Sequence, residues 1–526
     1  MNKTHVQKLA DFASMLRYEE IPARVITAAK YQLLNMVAAV HSTAASGEAA
    51  CVLDAMDDLC TASGSSTVLA NGRRFAPSDA ALANAACSIA QDFDDIVWMG
   101  HTCHSAVFAP LAVAEQIGSS SKDLLTAVVI ANEVGGRLGA SCFLGPLNGQ
   151  MWTFIHLAGA AAGVSSLLKL DPEKTANAIS IALSQPNFPL QPGFFYPTSK
   201  LLSAAIPTAT GMNAAFFARN GMTGAKDIIE SKRGFWRRFS FRALPEMLED
   251  PGSFWVLDTL TIKTYPGCHY FQTSLNALEL IFKKRGKTDS ADVKSIVIDT
   301  TKLASEVSHL AKEAGLNDGA LTPVSVAFDL KLCASVFLHA GGIGPSELTR
   351  EYLEQNAKTF HAWSKKIKVV HDPALTFDVL KCARKVPAGK RAIDSLKLTE
   401  IPAIIRRYRE DYGSTLLSSG DALQSLKKLA GSLVSSKDEA TPVSGLVFPS
   451  RVTVDFTDGT RVSERVDLPP GSITRAEMRD ELEKKFMCAC GNTLGKSGAE
   501  HAFSSGLMIE ETPLKEFVKS ACNIEP

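Results

Sequence analysis

The chain has 526 residues, no formal net charge at pH 7, 46% hydrophobic and 21% charged residues. That length exceeds the roughly 250–300 residues that one core supports, so more than one domain is expected. The balance excludes a disordered or fibrous chain, and without a basic excess no nucleic-acid partner is expected.

Residues 1–10 are polar with both signs of charge and lack the apolar run of a secretory leader. The most membrane-like stretch, 154–168, contains His156 and ends at Lys169, short of the roughly 18 uninterrupted apolar residues of a span. A soluble, cytoplasmic chain with no membrane partner is therefore expected. The 11 cysteines are scattered and read as free thiols; Cys488 and Cys490 are too close for the usual zinc-binding pair.

Leu9, Phe12, Ala13 and Leu16 recur at helical spacing, with Thr4 as N-cap. The pattern continues, rich in alanine, over 26–40, 78–91, 106–117, 122–140, 154–169 and 203–219. Small contact residues let helix axes approach closely. Ser119-Ser120-Ser121 with Asp123 marks one helix start. After Tyr265-Pro266-Gly267 the texture changes. Strands are expected at Val293–Thr300, Ile367–His371 and Val452–Phe456, and helices at 272–284, 323–339 and 346–357. Asp458-Gly459 predicts a tight primed turn into a partner strand, Arg461–Val466. A polar stretch follows Lys385, and its Ser-, Lys-, Asp- and Glu-rich end, 432–441, reads as a mobile surface excursion. Helical texture resumes over 474–486 and 513–522, the last packing back on the first domain. The predicted fold is mainly α. A large all-helical domain, 1–264 completed by 473–526, carries a smaller α+β domain, 265–472, with an extra insertion at about 380–445.

The densest polar cluster is Asp92-Phe93-Asp94-Asp95, followed by His101 and His104. Carboxylates and imidazoles at this density suit three roles: bracing helix ends, metal-free acid–base catalysis, or holding a divalent metal. Spacing alone leaves all three open.

Other landmarks stand in order around this block: Leu9-Ala10-Asp11-Phe12 with Arg17-Tyr18-Glu19, Ser199-Lys200 followed by Gly211, Lys263-Thr264-Tyr265-Pro266, and Thr322-Pro323 leading to Phe328. Together they resemble the MmgE/PrpD family of 2-methylcitrate dehydratases and cis-aconitate decarboxylases, along essentially the whole chain apart from the insertion. The resemblance implies a homodimer without metal or other cofactor, in which a helical domain and an α/β lid enclose a small carboxylic acid. The implied chemistry is proton transfer beside a carboxylate, followed by loss of water or carbon dioxide, or by reprotonation. It further implies Asp92, His101 and Lys200 as the catalytic set. Asp92 would orient an imidazole or handle a proton, His101 would be the acid or base, and Lys200 would anchor a carboxylate.

The loop before His101 is one residue shorter than in the decarboxylases, which brings His104 into the substrate-binding set. The remaining substrate-binding positions depart from the family pattern. Gln150 stands where the family has its second histidine, and His156, six residues on, is expected as a buried, satisfied helix residue. After Tyr265-Pro266 the cysteine, arginine and later histidine of the family become Cys268, His269 and Gln272, and Leu332 stands at the lid tyrosine. Losing groups that face a substrate carboxylate leaves that carboxylate desolvated and unpaired. A substrate with fewer carboxylates, or a more apolar one, is therefore expected, in keeping with Phe188, Phe194, Phe195 and Tyr196 just before Lys200. The expected function is a cofactor-independent, dehydratase-like lyase. The alternatives are an isomerase using the same proton chemistry, or an inactive family member that serves as a binding protein.

Overall fold

The computed structural model describes residues 3–522 apart from 61–62, 99, 146–152, 189, 287–289, 316–320, 398 and 413–446. Two buried apolar clusters organise them. The larger is helical and takes residues from Val6 to Ile262, then again from Met478 to Cys522. Its centre is the packing of Ser121–Ser141, Thr153–Leu167 and Leu202–Arg219. A Cβ on Gly211 would overlap the Leu157 carbonyl oxygen, so glycine is what lets two of these helices touch.

The predicted starts are present: the Thr4 hydroxyl accepts the Gln7 N–H at 3.4 Å and Ser120 accepts the Asp123 N–H at 3.1 Å. The apolar run long enough to span a bilayer is Thr198–Arg219 rather than 154–168, and 67% of its apolar window is buried inside the protein. That is the pattern of a core helix.

The smaller cluster surrounds a four-stranded sheet in the order Ile367–His371, Val293–Thr300, Ser450–Phe456, Arg461–Val466. The first pair is parallel and the others antiparallel. Alternation explains the central strand of the hairpin, where Val452, Val454 and Phe456 are buried while their neighbours are half-buried. The turn differs from expectation. Only Gly459 has a positive φ, +88°, and its N–H reaches the Phe456 carbonyl at 3.2 Å. A primed two-residue turn needs positive φ at both central residues when it is type I′, so this is the longer turn with one left-handed glycine.

Three helix boundaries also move. The helix expected over 323–339 splits into Pro323–Phe328 and Leu330–Ala340, because Asp329 leaves the helical region and caps the Lys331 and Leu332 N–H groups. The one expected at 346–357 runs Arg350–Lys366, capped by Thr349. The C-terminal helix starts at Met478 and continues to Leu507 across a break at Gly495. Part of the expected insertion at about 380–445 is helical, including Ile401–Tyr412. Pro373–Arg384 and Pro387–Asp394 are helices, and Val386, Ala388 and Ala392 sink into the larger cluster. The stretch 432–441 lies outside the described residues.

Candidate active site

The site forms where the chain leaves helix Pro77–Ile89 and meets the strand pair Asp95–Ile96 and Thr261–Ile262. Asp92 adopts a left-handed conformation, φ +50°, which aspartate tolerates better than most residues. Its carbonyl accepts the Gly267 N–H at 3.2 Å, tying the helical domain to the turn after Tyr265. The antiparallel pairing of Asp95 with Ile262 is extended by the Lys263 N–H donating to the Asp94 carbonyl at 3.0 Å. That register sets the Lys263 side chain beside two aspartates. A short 3₁₀ turn, Thr198–Leu201, delivers Lys200 from the other side.

A continuous line of charge results. Lys200 Nζ lies 2.5 Å from Asp92 Oδ2, and Lys263 Nζ lies 3.6 Å from Asp92 Oδ1 while pairing closely with Asp94 Oδ1. Asp94 Oδ2 is 2.9 Å from His101 Nδ1 and 3.1 Å from His104 Nε2. Burial alone would push the Asp94 carboxyl up, but Lys263, His101 and His104 hold it well below the usual range. Burial would lower Lys263, yet Asp94 and Asp92 raise it above an ordinary lysine. Both groups are therefore ionised at neutral pH. Lys200 is lowered by its burial, against the pull of Asp92.

The histidines divide the work. His101 Nδ1 lies 2.7 Å from the Asp95 carbonyl. A carbonyl can only accept, so Nδ1 carries the proton and Nε2 keeps the lone pair of the neutral ring. The side chain is 25% exposed and lines the cavity. His104 is fully buried, spans Asp94 and the Ser88 hydroxyl at 2.7 Å, and is lowered by burial. Both of its nitrogens are occupied, so it orients Asp94. It lines the same cavity.

That cavity, about 110 Å³, has Asp92, Asp94, His101, His104 and His156 on the helical side. His269, Tyr270, Leu303, Glu306 and Phe328 close it from the sheet domain, with Phe194 and Phe195 between. Lys200 Nζ sits over the Phe194 and Phe328 rings at 5.6 and 5.2 Å. Asp94, Cys103 and His104 are the one group among the described residues with ligand atoms within 4.8 Å of one another. A cation there would adjoin the Lys263 ammonium, and burial keeps the Cys103 thiol well above its ordinary range. These donors fit acid–base work better than metal binding.

The structure brings Asp92, His101, His104, His156 and His269 to one cavity, whereas Lys200, expected to anchor a carboxylate there, is fully buried against Asp92 and does not line it. His156 combines two expectations, since it is buried with Nδ1 3.0 Å from the Ser105 hydroxyl and also lines the cavity. His269 is 1% exposed, and neither ring nitrogen has a hydrogen-bond partner. Burial drives its pKa well down, which leaves a neutral imidazole against the cavity.

Three expected substrate-binding residues lie elsewhere. The Tyr265 hydroxyl donates to Glu279 at 2.5 Å, away from the cavity. Gln272 is consumed by backbone: its carbonyl accepts the Thr264 and Tyr265 N–H groups at 2.9 and 3.1 Å, and its amide donates to Tyr265 O at 2.7 Å. Leu332 packs against the sheet-domain core. Gln150 lies outside the described residues. Of the aromatic run, Phe188 is exposed and stacks near Phe239, with ring centroids 5.8 Å apart. Gln272→Ala is accordingly expected to cost about 1–3 kcal/mol of stability in urea unfolding by orphaning buried N–H groups.

Sequence reasoning missed Lys263, Lys485 and Glu306 as site residues, and gave Asp94 no role of its own. A signal for Lys485 existed, because it interrupts the buried stripe Met478, Leu482, Phe486, Ala489. Its Nζ donates to Phe93 O at 2.5 Å and Lys263 O at 2.9 Å, over the Phe93 ring at 3.8 Å. It thereby ties both strands that carry the charged groups. Burial pushes its pKa down to about 7, below the roughly 10.4 of an unfolded lysine. Between those values the unfolded chain binds more protons, so this group's contribution to stability rises with pH. Lys485→Met is expected to flatten that rise in urea titrations between about pH 7 and about pH 9.5. An unchanged slope would mean that Lys485 is not titrating in the folded protein.

Residues 7–247 match the MmgE/PrpD N-terminal domain. The chain is 28% identical over 307 residues to the cis-aconitate decarboxylase-like protein oryM of Aspergillus oryzae, covering 54% of this chain and 63% of that protein. It is 26% identical over 290 residues to the cis-aconitate decarboxylase of Aspergillus terreus, covering 52% and 59%. Against the cis-aconitate decarboxylase of Homo sapiens it is 30% identical over 207 residues, covering 37% and 42%. The chain thus spans about three fifths of the length of the fungal relatives.

Proposed function

We propose that this chain, which belongs to the MmgE/PrpD family, is a cofactor-independent lyase that moves a proton at the carbon beside a carboxylate. The substrate is an acid related to 2-methylcitrate, an alkylcitrate or aconitate but less acidic or more apolar than those tricarboxylates. One observation carries the reading. A histidine of fixed tautomer, His101, sits at the end of a buried line of alternating charge, on the wall of a cavity the size of a small acid.

In that arrangement the His101 Nε2 lone pair takes the proton. Asp94, already ionised and pinned by Lys263, stabilises the imidazolium that forms. The carbanion gathers charge on the substrate carboxylate, where Lys263 on the cavity wall supplies the positive charge and Lys200, fully buried, acts only through Asp92. The protonated His101 then returns its proton to the leaving hydroxyl; in a decarboxylation no proton is removed first, the carbon–carbon bond breaks as carbon dioxide leaves, and the electron pair left on carbon takes a proton from a protonated His101. Relatives in Aspergillus terreus and Homo sapiens are cis-aconitate decarboxylases, and decarboxylation of such an acid belongs to this class of step.

The preference for a weakly charged acid rests on charge balance. Both lysines are already matched by Asp92 and Asp94. His156 and His269 are held neutral, first of all by burial. On the sheet-domain side, Glu306 keeps one carboxylate oxygen without a partner. Among the described lining residues Lys263 is the one lysine or arginine, so none is left unmatched for a second or third carboxylate, and Phe194, Phe195, Leu303, Val307, Leu310 and Phe328 make much of the wall apolar.

The test is incubation in deuterated water with cis-aconitate, 2-methylcitrate and their monocarboxylate analogues, read by mass spectrometry. Deuterium incorporation with loss of water or carbon dioxide, fastest for the less charged acids, is expected. Exchange without elimination would make the chain an isomerase, and no exchange with any acid would overturn the catalytic reading. His269→Leu gives a second check. It removes two unpartnered buried nitrogens, so stability should hold or rise, while acid affinity falls by about 1–3 kcal/mol. Unaltered affinity would remove His269 from the binding set.

A further inference from the structure

A second cavity, about 120 Å³, lies between the helical core and the residues after Pro373, and its lining shares no residue with the acid–base cavity. One wall belongs to the family-matched region, with Trp98, Phe143 and Met247; the opposite wall, with Cys382, Val386 and Ala392, belongs to two helices beyond that region and the link between them. We propose that this cavity is a ligand site for a small uncharged hydrocarbon group about the size of a benzene ring.

Three observations fix that chemistry. The lining is apolar but for Thr259 and the Cys382 thiol. Thr259 has no proton left to donate to a ligand: its hydroxyl donates to Val256 O at 2.7 Å and accepts the Trp98 N–H at 2.8 Å. Burial raises the Cys382 thiol, so it carries no charge at neutral pH. Protein interiors keep few voids larger than a water molecule. Apolar voids of about 150 Å³ take up benzene or xenon, and the apolar lining here favours such a guest over a carboxylate.

The position matters for the site already described. The segment that supplies Asp92, Asp94 and His101 to one cavity supplies Trp98 to the other. Trp98 is held at φ +41°, a conformation bulky residues seldom adopt unless their surroundings fix it. A guest packed on its ring therefore bears on the loop that ends at His101, and this holds whichever acid the first cavity takes.

The experiment uses the full chain with two probes. Crystals pressurised with xenon are expected to give an anomalous peak between Trp98 and Ala392. In solution, benzene at about ten times its dissociation constant should raise the melting temperature by roughly 1–2 °C, and Ala392→Phe, which fills the space, should abolish the shift. A xenon map with no peak there, or with a peak only beside His101, overturns the proposal. So does a benzene shift that survives Ala392→Phe. Should that variant fail to fold, the xenon map of the unsubstituted protein decides alone.

Discussion

Lys200→Met is expected to destabilise the protein by about 3–5 kcal/mol, the range found when one partner of a buried ion pair is removed. Lys200 has no exposed surface, and its ammonium lies 2.5 Å from Asp92. Methionine keeps the volume and the packing under Phe194 and Phe328 but leaves a buried carboxylate. Lys263, 3.6 Å away, offsets part of the cost, so the lower end of the range is the expected value. Burial lowers the Lys200 pKa against the pull of Asp92, and a buried ion pair can often be replaced as a whole at little cost. The double variant Asp92→Asn/Lys200→Met should therefore recover most of the lost stability while remaining inactive. Urea unfolding of the four proteins gives the coupling directly. If the single variant is as stable as its parent, the charge line does not exist as described.

His101→Ala is expected to do the reverse. Proton transfer by a positioned side chain is worth roughly 10²–10⁴ in rate, so exchange and turnover should fall by about that factor. Stability should change by less than about 1 kcal/mol, since the ring is partly exposed and Asp94 keeps Lys263 and His104. His104→Ala is the contrasting variant, because it opens a hole in a fully buried position and leaves the Ser88 hydroxyl without its imidazole. It should lose stability first and activity only as a consequence. Equal rates for the parent and His101→Ala would remove the proposed base.

What could be read from the chain itself was whatever depends on near neighbours. The caps at Thr4 and Ser120 act over three residues. Helical and strand periodicity exposed the helices and the hairpin, and Asp92, Asp94, His101 and His104 of one local block do converge on one cavity. Even the failures at Asp329 and at the 456–460 turn are local, and they arose where one aspartate or one glycine chose between two legitimate backbone paths.

The tertiary structure decided the rest, because charge pairing has no sequence period. Lys200 finds Asp92 across 108 residues, and Lys485 finds Phe93 across 392. Residue type alone did not separate Gln272 and Tyr265, spent on bracing a turn, from His269, left unpartnered at the cavity. Burial turns such differences into function. A buried polar group must be matched or pay its desolvation in full, and only the folded chain determines which groups are matched.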